Sequence, residues 1–572
     1  MHLTSSRLLL TATKPIYILG TGLSHDGSVC ILKDGKIAIA IEKERITRKK
    51  HDGGNDRLAI NYCLDALDIT LSDLTVVVQC ANFEKDIRPD RYMGERPFPK
   101  DFPVATISHH LAHAYSAIGT SPFPQSNVLV IDGAGSPAVE CDDWPNEKIK
   151  EYWLSQIGFY CEKDSFYHYD GTELKCLLKD FSEIKANPPR TGAIRMPTNY
   201  HSVGGVYAAV SHYCFGNLDD AGKLMGLAPY GSETRFREPI FELRDGTVTV
   251  LHQSFSMLEQ PFESYEGFKR NFNHYADVAR WVQRETERAV VYVATHRVNQ
   301  WPHANLCYAG GVALNAVANA CLLKKGILDQ LYLQPAAADN GLSIGCAYYG
   351  WHHLLQRDLS HNTSGPVFFG KPYSSCAIKT ALEENDFSIS WQQAPDFVQQ
   401  TAKLLAEGKT VGWFQQGAEF GPRALGHRSI LADPRRKDIR THINGNIKFR
   451  EDFRPFAPAV IKEEVNNYFK YGWNSPYMIL VDEIRDQWKE DLSGIVHVDG
   501  TCRVQTVDKE ENPLFYALIK QFQQETGIPV LVNTSFNGRG MPIVETPEEA
   551  IKFFLECGLD VLVLEDYIVR KK

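Results

Sequence analysis

From Ile16 onward, short apolar runs alternate with amphipathic stretches along most of the chain. "IYILGTG", "SVCILKDGKIAIAIE" and "LTVVVQCA" read as β-rich runs, and "KDGK" supplies the tight turn of a hairpin. "RLAINYCLDALDI" carries the three-and-four spacing of a helix. "SNVLVIDGAGS" is a continuous apolar run ending in an acid and glycines, the pattern of a buried strand. Further on, "YADVARWVQRETERAVVYVATHRV" predicts a long amphipathic helix, followed by a strand in "NLCYAGGVALN" and a helix in "AVANACLLKK". Strands alternating with helices predict a layered α/β fold.

The texture changes between about Ser360 and Val398, where "SHNTSGPVFFGKPYSS" is rich in Gly, Ser and Pro and lacks a clear period. A second α/β unit is expected beyond it, in "TVGWFQQGAEFGPRALGHRSILADPR", "FRPFAPAVI" and "IPVLVNTSFN". The expected organisation is therefore a first domain over 1–360, a linker over 361–398 and a second domain over 399–572. A chain of 572 residues also exceeds what one hydrophobic core organises. No internal repeat or low-complexity tract is visible.

Composition narrows the functional classes. With 61 Lys plus Arg against 70 Asp plus Glu the formal charge is −9, which argues against a general nucleic-acid binder and leaves room for a local basic cleft. The 13 cysteines are scattered and contain no C-x-x-C pair, as expected of reduced thiols rather than a zinc ribbon or disulfide frame. Lys14 and Pro15 interrupt the apolar start before it reaches signal-peptide length, and no apolar run approaches the ~20 residues of a membrane span. A cytoplasmic protein without membrane attachment is the expectation.

Candidate chemistry begins with "TISHHLAHAYSA". His109 and His113 stand four apart and share a helix face, whereas His110 is turned about 100° away. Such a pair suits Zn²⁺ or Fe²⁺ if carboxylates from elsewhere complete the site. Asp132 ends "VLVID" ahead of Gly133 and Gly135; Asp339 precedes an apolar helix, where capping and ligation both remain open. Glycine clusters in "SVGGVYAAV", "GKLMGLAPYG", "AGGVALN" and "NGLSIG" suit phosphate cradles, although none fits a P-loop or G-x-G-x-x-G fingerprint. "GLSHDGS" places His25 and Asp26 in a hairpin loop, and "EKERITRKKHDG" packs Arg45, Arg48, Lys49 and Lys50 behind it. In the second unit Arg423, Arg428, Lys448, Arg450, Arg454, Arg503, Asn533, Ser535 and Asn537 are mixed with Gly, Pro and aromatic residues. Forked guanidiniums beside turn formers are what a compact polyanion needs.

"HHLAHAYSA", "VIDGAGS", "GKLMGLAPYG", "AGGVALN", "DNGLSIG", "EFGPRALGHRSILADPR", "FREDFRPFAP" and "NTSFNGRG" together resemble the O-carbamoyltransferases of antibiotic, toxin and nodulation-factor biosynthesis. The resemblance implies an N-terminal domain of the actin and sugar-kinase type joined to a YrdC-like C-terminal domain. It implies metal ligands His109, His113, Asp132 and Asp339, with Fe²⁺ or another divalent ion. Arg423, Lys448, Arg454, Arg503 and Ser535 would hold carbamoyl phosphate. ATP, with Mg²⁺ expected beside it, would be the cosubstrate for carbamoyl-adenylate. Lys50, Asp26, Gly310, Gly311 and Asn315 would hold the nucleotide in the first domain. His25 is the candidate base for the hydroxyl of a small-molecule acceptor, with toxin synthesis of the saxitoxin kind one setting. The acceptor and the oligomeric state stay open, a homodimer included. A threonylcarbamoyl-type tRNA-modifying enzyme and a non-enzymatic ATP-switched binding protein are the alternatives; the acidic balance weighs against the first and the arginine-bearing second half against the other.

Overall fold

The computed structural model describes residues 14–54, 56–80, 98–99, 101–184, 202–361, 367–385 and 388–572. Among them the strands build the expected α/β architecture, with two five-stranded sheets in the first half and an eight-stranded sheet in the second. Most of the residues before the first strand, 1–13, lie outside the described set.

The two five-stranded sheets repeat one topology. In the first, strand Tyr17–Gly22 pairs antiparallel with Ser28–Lys33, which pairs with Lys36–Glu42. On its other side Leu74–Cys80 and then Val104–Thr106 run parallel. In the second, Ser126–Ile131 takes the central place, with the hairpin Phe159–Tyr169 and Leu174–Ile184 on one side. Asn305–Ala309 and Gln330–Leu333 lie parallel on the other. This doubled sheet is the actin and sugar-kinase arrangement. The chain thus holds a repeat that its sequence does not display, because a shared topology needs only matching apolar faces and not matching residues.

The "KDGK" turn forms as expected, with Asp34 at φ 51° and Gly35 at φ 80°, the left-handed pair of a type I′ hairpin. Helix His109–Thr120 and helix Leu342–Tyr349 pack against each other between the sheets. Glycines permit the approach: a Cβ on Gly345 would lie 1.7 Å from the Ala112 carbonyl, and one on Gly20 would lie 2.0 Å from that of Ser343. This contact brings the start of the second helix, where Asp339 sits, against the start of the first.

In the second half, strand Val530–Ser535 lies inside the eight-stranded sheet between Arg428–Ala432 and Ala457–Ile461, antiparallel to both. The interval expected as a linker, 361–398, departs from that expectation. It carries helix Ser375–Glu384 and strand Ile389–Gln393, which forms the edge of the large sheet against Tyr567–Lys571. An edge strand and a half-exposed helix bury only one face, so their apolar period is weak; residues 362–366 of the interval lie outside the described set.

His427 offers a test of this core. Its ring stacks on Phe368 at 3.7 Å, and Nδ1 lies 2.6 Å from the Gly417 carbonyl; burial pushes its pKa down to about 4. Since the unfolded chain takes up that proton near pH 6.5, the contribution is complete above pH 6.5 and is lost as pH falls toward 4. Replacing His427 with Asn, which can reproduce the Nδ1 donor, is expected to flatten the dependence of unfolding free energy on pH in that window by up to about 1.4 kcal/mol per pH unit. Denaturant titrations of the two proteins at pH 7 and pH 5 measure it.

Candidate functional site

Two constellations stand out, one in each half. In the first, His109 and His113 present Nε2 atoms 3.0 Å apart, and Asp132 Oδ2 lies 2.9 Å from the one and 3.3 Å from the other. Asp339 Oδ1 closes the group at 3.4 Å from His109 and 4.0 Å from His113. All four residues are buried, with one donor atom from each inside a common sphere. Asp339 does not act as a cap, because its carboxylate faces the imidazoles and the Ser24 hydroxyl. His110 points away, with Nδ1 2.7 Å from the Ser165 hydroxyl, and burial brings its pKa down to about 4.

Backbone geometry at the ends of the elements fixes this group. Asp132 follows strand Ser126–Ile131, and its Oδ1 accepts from the Gly133 and Gly311 amides at 2.7 and 3.2 Å. Gly310, at φ 92°, sits so close to Ile131 that a Cβ would lie 2.4 Å from its carbonyl oxygen. A buried acid, Glu162, accepts from the His110 and Ser136 amides at 3.1 and 2.9 Å, and Ser136 Oγ accepts from the His109 amide at 3.0 Å. Lys179 balances Glu162 and also Asp143, 2.7 Å away. In the sequence Glu162 is marked by the charged run inside "YCEKDSFYHY", and Lys179 by a charge within the strand that pairs with it.

Two imidazoles and two carboxylates with one buried meeting point fit a divalent cation. Electrostatics agrees. Burial raises the pKa of Asp339, yet the charges of His109 and His25 hold it well below the usual carboxylate range. Burial lowers that of His109, yet Asp339 and Asp132 drive it well above the usual imidazole range. The cluster concentrates negative charge that a divalent cation could balance.

His25 lies at the open side of the quartet, 60% exposed, with Nδ1 3.2 Å from Asp339 Oδ2. Asp339 is the main reason its pKa is raised. Asp26 lies 3.4 Å from His25 and pairs at 2.8 Å with His51, a residue that the adjoining charged run obscured. The run itself divides. Lys50 pairs with Glu44 at 2.8 Å. Arg45 donates to the Gly421 carbonyl and Arg48 to those of Pro542 and Ile543, each at 2.8 Å. Arg45 and Arg48 therefore join the two halves and are not free for a phosphate. The Asn315 side chain caps helix Ala316–Lys325 and pairs with Gln283 at 3.0 and 3.1 Å.

The second constellation is cationic. Arg423, Lys448, Arg450 and Arg503 each lie close enough to feel the charge of Arg454. Burial first, and then neighbouring cations, push Arg423 down to about 10 and hold Lys448, Arg450 and Arg503 well below their ordinary values. Neutral oxygens hold Lys448, whose Nζ donates to Ser535 Oγ at 3.0 Å and Asn537 Oδ1 at 2.8 Å. Glu451 is the nearby acid, shared by Lys223 at 3.1 Å, Arg454 at 3.8 Å and Arg539 at 3.9 Å. Lys223 comes from "GKLMGLAPYG" in the first half and was not singled out from the sequence. Arg428, by contrast, lies in a cage of backbone carbonyls over the Phe414 ring and holds the fold, not a ligand.

The loop bearing Arg423 is clamped from the first half, where Glu42 Oε1 accepts from the Gly421 amide at 2.5 Å and Arg45 holds its carbonyl. No helix among the described residues is long and apolar enough to cross a membrane.

Comparison with known proteins bears on both halves. The family described as Carbamoyltransferase N-terminus matches residues 17–97 and 92–348, and that described as Carbamoyltransferase C-terminus matches 402–571. A Synechocystis sp. protein is 32% identical over 97% of this chain and 97% of its own. Nodulation protein NolNO of Sinorhizobium fredii is 32% identical over 96% of this chain and 79% of its own. Among solved structures, full-length HypF in its phosphate- and nucleotide-bound form is a distant likeness, with a TM-score of 0.35 at 12% identity, covering 59% of this chain and 46% of that one.

Proposed function

Because the chain belongs to the carbamoyltransferase family, and so is an enzyme of carbamoyl transfer, we propose that it works in two steps at its two constellations. The second half, 399–572, forms carbamoyl-adenylate from carbamoyl phosphate and ATP. The first, 1–360, transfers the carbamoyl group to the hydroxyl of a small molecule.

The observation that carries this reading is the crowd of mutually repelling, half-buried cations around Arg423, Arg454 and Arg503, with Glu451 and Asp220 as their nearby acids. Such a group costs stability until an anion enters. Carbamoyl phosphate and the ATP phosphates are anions of suitable compactness, and guanidiniums bind their oxygens in pairs. The chemistry balances with one water. Cleavage of carbamoyl phosphate by water gives carbamate and phosphate; a carbamate oxygen then attacks the α-phosphorus of ATP, and pyrophosphate leaves with the bonding pair. AMP is a better leaving group than the oxide of a free carbamate, which lowers the barrier to the second transfer.

In the first half, His109, His113, Asp132 and Asp339 would hold a divalent cation, Fe²⁺ first among the choices. Such a cation, when bound, supplies a Lewis acid for a carbonyl or phosphate oxygen. His25, beside Asp339, would take the proton of the acceptor hydroxyl. Asp339, 3.2 Å from its Nδ1, ties the imidazole to the edge of the quartet. Gly310, Gly311, Asp26 and Lys50 are the residues proposed to hold the nucleotide in this half.

The experiment supplies carbamoyl phosphate and ATP and follows phosphate and pyrophosphate. Pyrophosphate release that depends on carbamoyl phosphate is expected; release indifferent to it defeats the proposal. Mass spectrometry of candidate alcohols for one added carbamoyl group identifies the acceptor.

A further inference from the structure

Arg423 does not place itself. Its guanidinium is half-buried, its Nε has no hydrogen-bond partner among the described residues, and the neighbouring charge it feels is another cation, Arg454. Its donors are therefore aimed by the backbone that carries them, and that backbone is held from the other half of the chain.

Gly421 stands two residues before Arg423, with Pro422 between them. The Gly421 amide donates to Glu42 Oε1 at 2.5 Å, and its carbonyl accepts from Arg45 at 2.8 Å. Its φ of 113° is one that glycine adopts without strain, and a Cβ there would stand 3.3 Å from the Pro335 carbonyl. Residues of the first half thus meet this peptide on three sides. The ring of Pro422 locks the next φ, so a rotation at Gly421 passes to Arg423 with little slack. Beyond Arg423, Glu419 accepts from the Leu425 amide and closes the loop.

Arg45 is 1% exposed and lies on the short helix Lys43–Thr47, with Nε 3.0 Å from Glu42 Oε2. Both ends of that helix are pinned. The Lys43 amide donates to the Gly27 carbonyl at 2.8 Å, and Arg48 reaches the Pro542 and Ile543 carbonyls. A buried ion pair gains little net stability over an apolar pair of similar volume, so what this one contributes is direction.

We infer that Arg45 is a positioning residue for the cationic pocket of the second half: with Glu42 it sets the Gly421 peptide and, through Pro422, the aim of the Arg423 guanidinium. The pocket is then incomplete without the first half. The inference rests on the reading of Arg423 as an anion-binding group; pyrophosphate release that depends on carbamoyl phosphate tests the proposed reaction separately.

The test is a double-mutant cycle on the full chain, read by equilibrium titration with inorganic pyrophosphate in the absence of ATP and carbamoyl phosphate. Arg45→Met should lower the affinity by about 10- to 100-fold, the scale of an ångström's misplacement of a binding group. In an Arg423→Ala background the same change should alter the affinity by less than about threefold, because the group it positions is gone. Glu42→Leu combined with Arg45→Met removes both charges of the buried pair together, which preserves the fold if Arg45→Met alone does not. The combined variant should show the same loss and the same dependence on Arg423. Equal losses with and without Arg423 would overturn the inference, since a loosened interface or a missing positive charge acts whether or not Arg423 is present. Undiminished affinity in the variants would overturn it too, as would failure of the unaltered protein to bind pyrophosphate. If the coupling appears while pyrophosphate release ignores carbamoyl phosphate, the positioning role stands and the proposed reaction falls.

Discussion

Replacing Arg423 with Ala is expected to suppress carbamoyl-phosphate-dependent pyrophosphate release by about 10²- to 10³-fold, the cost of removing one directed donor from developing charge. Transfer from supplied carbamoyl-adenylate should stay within about threefold of normal, because Arg423 lies in the cationic pocket and not in the quartet. A further signature separates ligand binding from structure. Arg423 is half-buried, burial and Arg454 bring its pKa down to about 10, and its Nε has no hydrogen-bond partner among the described residues. Its removal relieves repulsion in the unliganded protein. The melting temperature should therefore hold or rise while activity collapses, the trade expected of a group strained for function. Equal loss of both half-reactions would contradict the division between the two halves.

The second large effect concerns the quartet. His109→Ala removes one of four converging donors and leaves two buried carboxylates with one imidazole between them. Affinity for a divalent cation should fall by at least ~100-fold, since even loss of an outer hydrogen bond to a ligand costs 10- to 100-fold. Carbamoyl transfer should be lost with it and adenylate formation kept. His110→Ala is the internal contrast: its ring bonds Ser165, outside the quartet, so metal content should be unchanged. Metal analysis of the purified proteins after loading with Fe²⁺ reads both outcomes, and undiminished metal in His109→Ala would remove the quartet from consideration.

Arg423 and Arg428 show where reading the chain succeeds and where it stops. They stand five residues apart in one Gly- and Pro-rich string, and only the family resemblance, not their local pattern, separates them. In the fold, Arg428 is enclosed by carbonyls of Gln415, Gln416 and Glu545, whereas Arg423 faces other cations. Arg45 and Arg48 likewise look like companions of Lys50 but reach across to the second half. A guanidinium finds its role through whichever oxygens or charges come within a few ångströms, and those arrive from distant segments. The cap made by Asn315 and the edge strand within 361–398 are hidden in the sequence for a related reason: both draw their partners from outside their own local period.

The chain by itself determined the local features: the apolar periods that make strands and helices, the Asp34–Gly35 turn, and the four-residue spacing that puts His109 and His113 on one face. These depend on interactions over a few residues and are written into the order of side chains. Only the tertiary structure decided that two sheets share a topology, that Asp339 swings against those histidines through the Gly20 and Gly345 contacts, and that Arg423 keeps its Nε unpaired near Arg454. Each of those depends on which surfaces meet, and packing is satisfied by shape and volume that many sequences can provide.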